Sequence, residues 1–359
     1  MLTLAQFDYD LPPEVIAQSP ADPRDSSKLL VLNKNSGDIS HHIFRDLVDL
    51  LTPNDVLIRN NTKVFPARIF GKKTTGGLVE ILLLKQVHIN SQGDTWEVMT
   101  KPGLKPGQKV LFEGGKLEGV CTEVTPMTRY MQFNVSASIF WHSVLEVGHT
   151  PIPPYIEWNT DDEEKLREIY QTTYAKISGS VAAPTAGLHF TQELDDKLQA
   201  KGVEILEVTL HVGMGTFLTV KTDNIQDHQM HAEWFEVSKE TAEQLNAFKK
   251  QGKRLIAVGT TTLRTLESVV NESGEFSSQF GETKIFIYPP HKFHSVDGLI
   301  TNFHLPKSTL LMLISAFVSS PNTDNEFTDF EKSSVGKAYE VAKKSGYKFF
   351  SFGDGMLIL

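Results

Sequence analysis

The chain has 359 residues, 40% of them hydrophobic and 22% charged, which describes an ordinary globular protein long enough for two domains with real cores. The formal net charge of −9 argues against general nucleic-acid affinity, and no apolar run approaches the ~20 residues of a membrane span. The single cysteine, Cys121, excludes an internal disulfide and a zinc site built on several thiolates, and "MLTLAQFDYDLPPEV" lacks a secretory signal pattern, so a cytoplasmic protein is expected.

In chain order, "KLLVLNK" (28–34) reads as a strand and "FRDLVDLL" as a helix. From about 56 to 150 the pattern is one of short strands: "VEILLLK" (79–85), "TWEVMTK" (95–101), "QKVLFEG" (108–114), "KLEGVCTEV" (116–124) and "RYMQFNV" (129–135). Gly, Pro and Asn-Ser turns separate them at the spacing of a small antiparallel barrel or sandwich, and no long helix interrupts before "SIFWHSVLEV". The Pro- and acid-rich "GHTPIPPYIEWNTDDEE" reads as a return linker.

After it the period changes. "EEKLREIYQTTYAK" and "TQELDDKLQAKG" are helical, the latter closed by Gly202, and "VEILEVTLHV" (203–212) is an apolar strand. "SKETAEQLNAFKKQG" (238–252) is a helix with Ser238 as N-cap and Gly252 as its stop. "RLIAVGT" (254–260) is a buried strand feeding the helix "TTLRTLESVVNE". "KIFIYP", "DGLITNFH" and "KFFSFGD" read as strands, with "STLLMLISAF" and "SVGKAYEVAKK" as helices; the longest apolar run, "TLLMLISAFV" (309–318), suits a buried one. The alternation predicts an α/β fold: a layered α/β domain over 1–60 and 151–359 with a small antiparallel β-barrel domain inserted over 61–150.

One stretch departs from the acidic balance. Between Asp55 and Glu80 there is no carboxylate, yet Arg59, Lys63, Arg68, Lys72 and Lys73 fall there. It reads as a solvated face or as a local contact for a polyanion.

Six stretches could carry chemistry. "GSVAAPTAGLHFT" (179–191) offers bare backbone around Pro184, Thr185 and Gly187, with His189 expected at the loop's edge before a helix. "LHVGMGTF" places Gly213, Gly215 and Thr216 beside His211, as a tight turn or a close approach to a ligand. "DHQMHAEWFEV" puts His228 and His231 three apart with Glu233 following, which invites a metal or, more economically, acid–base or hydroxyl contacts. "VGTTTLRTLES" ends a strand and opens a helix on Thr260 and Thr261 with Arg264 in its first turns, an anion cradle or an ordinary cap. The C-terminal part adds His304 in "TNFHLPKSTL" and, in "FFSFGDGML", Asp354 between two glycines, suited to a turn or to binding a hydroxyl. The histidines all sit where strands or loops of the α/β part end, which is where ligands gather in open sheets.

These stretches, with "FDYDLPPEVIAQSP", "RDSSKLLVL", "FPARIFG" and "TGGLVEILLL", resemble the S-adenosylmethionine:tRNA ribosyltransferase-isomerase family of the queuosine pathway, in order and over nearly the whole chain. The resemblance implies an α/β domain with an inserted barrel. It implies transfer and isomerisation of the ribosyl group of S-adenosylmethionine onto the aminomethyl group of a 7-deazaguanine at the tRNA wobble position, giving epoxyqueuosine-tRNA, adenine and methionine. On that reading His189, His211, His228, His231 and Glu233 are the catalytic candidates. Pro184, Thr185, Gly187, Gly213, Gly215, Thr216, Thr260, Thr261, Arg264, His304 and Asp354 would contact substrate, and the basic stretch would contact tRNA. S-adenosylmethionine is consumed as substrate, with no metal or further cofactor expected. Three positions depart from the family pattern: Asn61 where aspartate is usual, Pro290 where glycine is common and Gly355 where alanine is common. The competing readings are a tRNA-binding module whose histidines are structural, and a metal-dependent hydrolase using His228, His231 and Glu233.

Overall fold

The structure is a computed structural model, and it describes residues 2–90, 93–112, 115, 117–157, 162–213 and 220–359. Its frame is a nine-stranded sheet in the spatial order Gln279–Thr283, Glu233–Val237, Glu204–Leu210, Asp55–Asn60, Arg254–Val258, Gly298–Asn302, Gly355–Ile358, Lys28–Leu32, Ile39–Ile43. The four strands from Glu204–Leu210 to Gly298–Asn302 are mutually parallel. Their middles are apolar because the sheet is covered on both faces, and Asp55–Asn60 is buried at every position, its polar residues included. Gly355–Ile358 runs antiparallel to Gly298–Asn302 but parallel to Lys28–Leu32, with Leu29 opposite Gly355.

Along the chain, between Asp55–Asn60 and Glu204–Leu210, lies a closed barrel of Arg68–Lys73, Leu78–Asn90, Gly93–Lys101, Lys109–Phe112, Glu118–Val124 and Arg129–Phe133. Its core is aromatic. Phe140, from the helix Ala137–Val147, stacks on Trp96 at 5.1 Å and meets Phe133 at 4.8 Å, so the helix closes the barrel's interior. A two-stranded parallel pair, Thr62–Val64 with Ile177–Ser180, sits at the junction of barrel and sheet. Among the described residues no helix is long and apolar enough to cross a membrane.

The expected α/β fold with a barrel is observed, and several element assignments are corrected. The helix read over 163–176 ends at Ile169. Beyond it, Gln171 is committed elsewhere: its side chain accepts from the Val64 amide and donates to the Val64 carbonyl, while Arg24 captures the carbonyls of Glu168 and Gln171. "KIFIYP" is not a strand; the edge strand is the preceding Gln279–Thr283, polar and largely exposed. "KFFSFGD" is not a strand either, because Phe350 adopts φ 75°, and the strand begins at Gly355. The helices capped by Ser238 and Ser308 form as expected, each cap side chain accepting from an amide three residues on. The apolar run 309–318 is buried from Leu311 onward.

Candidate active site

A cleft of about 1030 Å³, open solvent at its mouth included, lies at the carboxyl ends of the parallel strands. One wall comes from the strand Arg254–Val258. Gly259 turns at φ 90°, a conformation that favours glycine, and delivers Thr260 and Thr261 as the first residues of the helix Thr260–Val269. That helix has no side-chain cap, and among the described residues its first amides have no partner, at residues that line the cleft. One turn on, Arg264 lines the same wall while its guanidinium is fixed from behind, Nη1 donating to Glu233 Oε2 and Nε to the Ile285 carbonyl at 3.4 Å. Nη2 is buried without a partner. The facing wall is the loop from Ala182 to Ala186 with Asn302 and His304 beside it; Tyr155, Tyr170 and Phe350 supply aromatic surface.

His189 is not at the loop's edge. It is 5% exposed and sits one layer behind the cleft, its ring stacked on Phe44 at 4.7 Å. Asn302 donates from Nδ2 to His189 Nε2 at 3.2 Å, and Asn302 Oδ1 accepts from Thr185 Oγ1 at 2.9 Å. The imidazole is therefore the tautomer whose Nδ1–H donates to Ser27 Oγ, 2.8 Å away. Burial, helped by Arg24 nearby, pushes its pKa down to about 4, so it is neutral at pH 7. His304 does line the cleft. Its Nε2 shares a 2.9 Å hydrogen bond with Thr301 Oγ1, its amide donates to Tyr339 Oη, and burial lowers its pKa to about 3.

A second cavity opens where the barrel meets the sheet and shares Val212 with the cleft. His211, Gly213 and Glu233 line it, opposite Phe65, Trp96 and Trp141. His211 stacks on Trp234 at 4.9 Å and bonds Thr62 Oγ1 at 2.8 Å, and burial brings its pKa to about 4. Gly179 presses against this ring so closely that a Cβ there would lie 2.4 Å from Nε2. Glu233 accepts the Gly213 amide on its other oxygen at 3.0 Å.

The residues singled out by sequence thus divide. Pro184, Thr185, Thr260, Thr261, Arg264 and His304 line the cleft; His211, Gly213 and Glu233 line the adjoining cavity. Gly215 and Thr216 lie outside the described residues. Gly187 does not face the cleft: the Tyr174 hydroxyl would stand 2.0 Å from a Cβ there, so packing requires the glycine. His228 and His231 are absent from both linings; His228 meets Phe286 edge-on, and burial followed by the nearby His231 lowers its pKa. Asp354 is a brace between chain segments, its two oxygens accepting the amides of Lys28 and Lys348 at 2.7 Å each. Among the described residues no three His, Cys, Asp or Glu side chains converge as a metal site, and Glu233 is committed to Arg264 and Gly213.

The basic stretch also divides. Arg59 is buried and cannot meet a phosphate: it bonds Asp195 at 2.6 Å, approaches Glu207 at 3.5 Å and lies over the Tyr174 ring at 3.8 Å. Arg68 is tied to the Ile152 carbonyl and Glu80. Lys63 and Lys72 are exposed and Lys73 partly so. Asn61 donates to Glu207 and accepts from Thr209 Oγ1, so an aspartate there would oppose the Glu207 carboxylate. Sequence reasoning missed Asn302, passed over two residues before His304 in "TNFHLPKSTL", and Tyr155, which lay inside a stretch read as linker.

Residues 4–358 match the profile of a family described as queuosine biosynthesis protein. The S-adenosylmethionine:tRNA ribosyltransferase-isomerase of Desulfitobacterium hafniense is 48% identical over 362 residues, covering 100% of both chains. That of Carboxydothermus hydrogenoformans is 48% identical over 360 residues, again covering 100% of both. Among solved structures, S-adenosylmethionine tRNA ribosyltransferase from Thermotoga maritima aligns with a TM-score of 0.54 at 37% identity, over 99% of this chain and 100% of that one.

Proposed function

Because the chain belongs to the queuosine-biosynthesis family of S-adenosylmethionine:tRNA ribosyltransferase-isomerases, we propose that it moves the ribosyl group of S-adenosylmethionine onto 7-aminomethyl-7-deazaguanine at the tRNA wobble position. Epoxyqueuosine-tRNA is formed, adenine and methionine leave, and no metal or second cofactor takes part. The observation that carries this reading is the cleft, whose lining joins an uncapped helix start, an arginine, four threonines, Asn302 and His304 to the rings of Tyr155 and Phe350. A nucleoside sulfonium presents matching groups: an aromatic base, ribose hydroxyls, a cation and an amino-acid carboxylate.

The chemistry asks little charge of the protein. The sulfonium acidifies the adjoining 5′ C–H, so a modest base suffices to remove that proton, and departure of adenine needs a proton or hydrogen-bond donor at the purine. His304 is held neutral by burial and enters as imidazole, as an acceptor or N–H donor and not as a cationic acid. Asn302 and Thr185, locked to each other and to His189, offer oriented polar groups to the ribose. The exposed Lys63 and Lys72, with Lys73, support a phosphate contact beside the barrel. The test is adenine and methionine release from S-adenosylmethionine with tRNA carrying the aminomethyl precursor. Stoichiometric release with ribosylated tRNA is expected; tRNA binding without release would leave a binding module and refute the assignment.

A further inference from the structure

Arg264 is an arginine held on two sides and unpartnered, though buried, at its third nitrogen among the described residues. Glu233 holds Nη1, with its own second oxygen fixed by the Gly213 amide, and the Ile285 carbonyl holds Nε. Among the described residues Nη2 has no acceptor although Arg264 is only 6% exposed, and the residue lines the cleft. A buried guanidinium N–H without a partner is costly, and a ligand oxygen is the simplest group to complete it. Beside it open the uncapped amides of Thr260 and Thr261, at the positive end of a ten-residue helix. Two independent kinds of donor therefore border one cleft, and among the described residues no carboxylate side chain lines it to compete for them. A second wall is aromatic, with Tyr155 and Phe350 meeting at 4.2 Å between ring centres.

Resting on the donor assignment above, we infer that Arg264 Nη2 and the Thr260–Thr261 amides bind the amino-acid carboxylate of S-adenosylmethionine. This places the purine on the Tyr155–Phe350 side and leaves the sulfonium and ribose between them, opposite Asn302. Glu233 is then a positioning residue: it orients the guanidinium and does not itself meet the donor. The arrangement also explains why Glu233 lines the adjoining cavity although its partner lines the cleft.

The test compares two donors on the intact wild-type protein, with and without precursor tRNA, by equilibrium binding: S-adenosylmethionine and its decarboxylated analogue. The analogue should bind about ten- to a hundredfold more weakly, the scale of a lost charge-assisted contact. Arg264→Gln should weaken S-adenosylmethionine to a similar degree and leave the analogue nearly unchanged, because the contact is already missing there. Equal affinity of the wild type for both donors overturns the inference, as does an Arg264→Gln effect equal for both or seen only in the KM for tRNA. The comparison of donors stands even where the variant folds poorly. Failure of adenine release with S-adenosylmethionine would strike the parent reading, whereas normal release with equal binding of both donors strikes only this orientation.

Discussion

Replacing His189 by alanine should destabilise the protein far more than it slows it. The imidazole makes two hydrogen bonds, to Ser27 and Asn302, and stacks on Phe44. Each bond contributes about 1 kcal/mol and the ring contact about 1 more, so the loss is about 3 kcal/mol before any cavity term. For a chain of this size that is a fall of several degrees in Tm. Since Asn302 stands between His189 and the cleft, turnover per folded molecule should drop less than tenfold, through a loosened Asn302 and Thr185. The assay is a thermal or denaturant melt alongside adenine release, with active protein titrated so that unfolded material is not counted. An unchanged Tm with a hundredfold loss of turnover would refute the reasoning and put His189 in direct contact with substrate.

Buried histidines should make the fold acid-sensitive. Burial depresses the pKa values of His189 and His304 to about 4 and 3, below the ordinary 6.5, so the unfolded chain binds more protons than the native one. Their stabilising contribution is whole above about pH 6.5 and drains away as pH falls toward the folded values, by roughly a few kcal/mol in all; a denaturant midpoint flat from pH 7 to 4 would contradict this. Arg59→Ala should cost about 3 kcal/mol by leaving the buried Asp195 without its cation, while Glu207 keeps Lys176, as read from a denaturant melt. Alanine at Lys63, Lys72 and Lys73 together should leave stability intact while flattening the salt dependence of tRNA binding, and an unaltered salt slope would remove them from the interface. Activity should survive exhaustive chelation; rescue of a chelated sample by zinc would restore the metal-hydrolase alternative.

What was legible in the sequence follows from how strongly each residue's neighbours in the chain constrain it. The barrel strands announce themselves by alternation, and the helices after Ser238 and Ser308 by their caps, because both signals are local. The edge strand Gln279–Thr283 is polar and largely exposed, so it has no apolar period to read, while "KIFIYP" has the composition of a strand but no partner. Arg59 looked like a surface cation because its partners, Asp195 and Glu207, lie far along the chain; only the complete burial of Asp55–Asn60 shows that the charge is internal. His189 was misplaced for a similar reason: in a run of Gly, Ala, Pro and Thr nothing says which side faces the core. The stretches around Arg264 and His304 were found because a strand's carboxyl end running into a helix start is itself a sequence pattern.

The position of Gly355–Ile358 in the sheet bears on how the protein can be made. Lys28–Leu32 is the first of the sheet's nine strands to be made, yet its inner neighbour Gly355–Ile358 is the last. Until then it can pair on one side alone, with Ile39–Ile43, and presents a row of open amides and carbonyls on the other. The barrel, whose strands are close together in sequence, can close while translation is still under way. Sealing of the sheet must wait, which gives nascent chains a long interval with an adhesive flank and makes them natural clients for chaperones that shield unpaired strands.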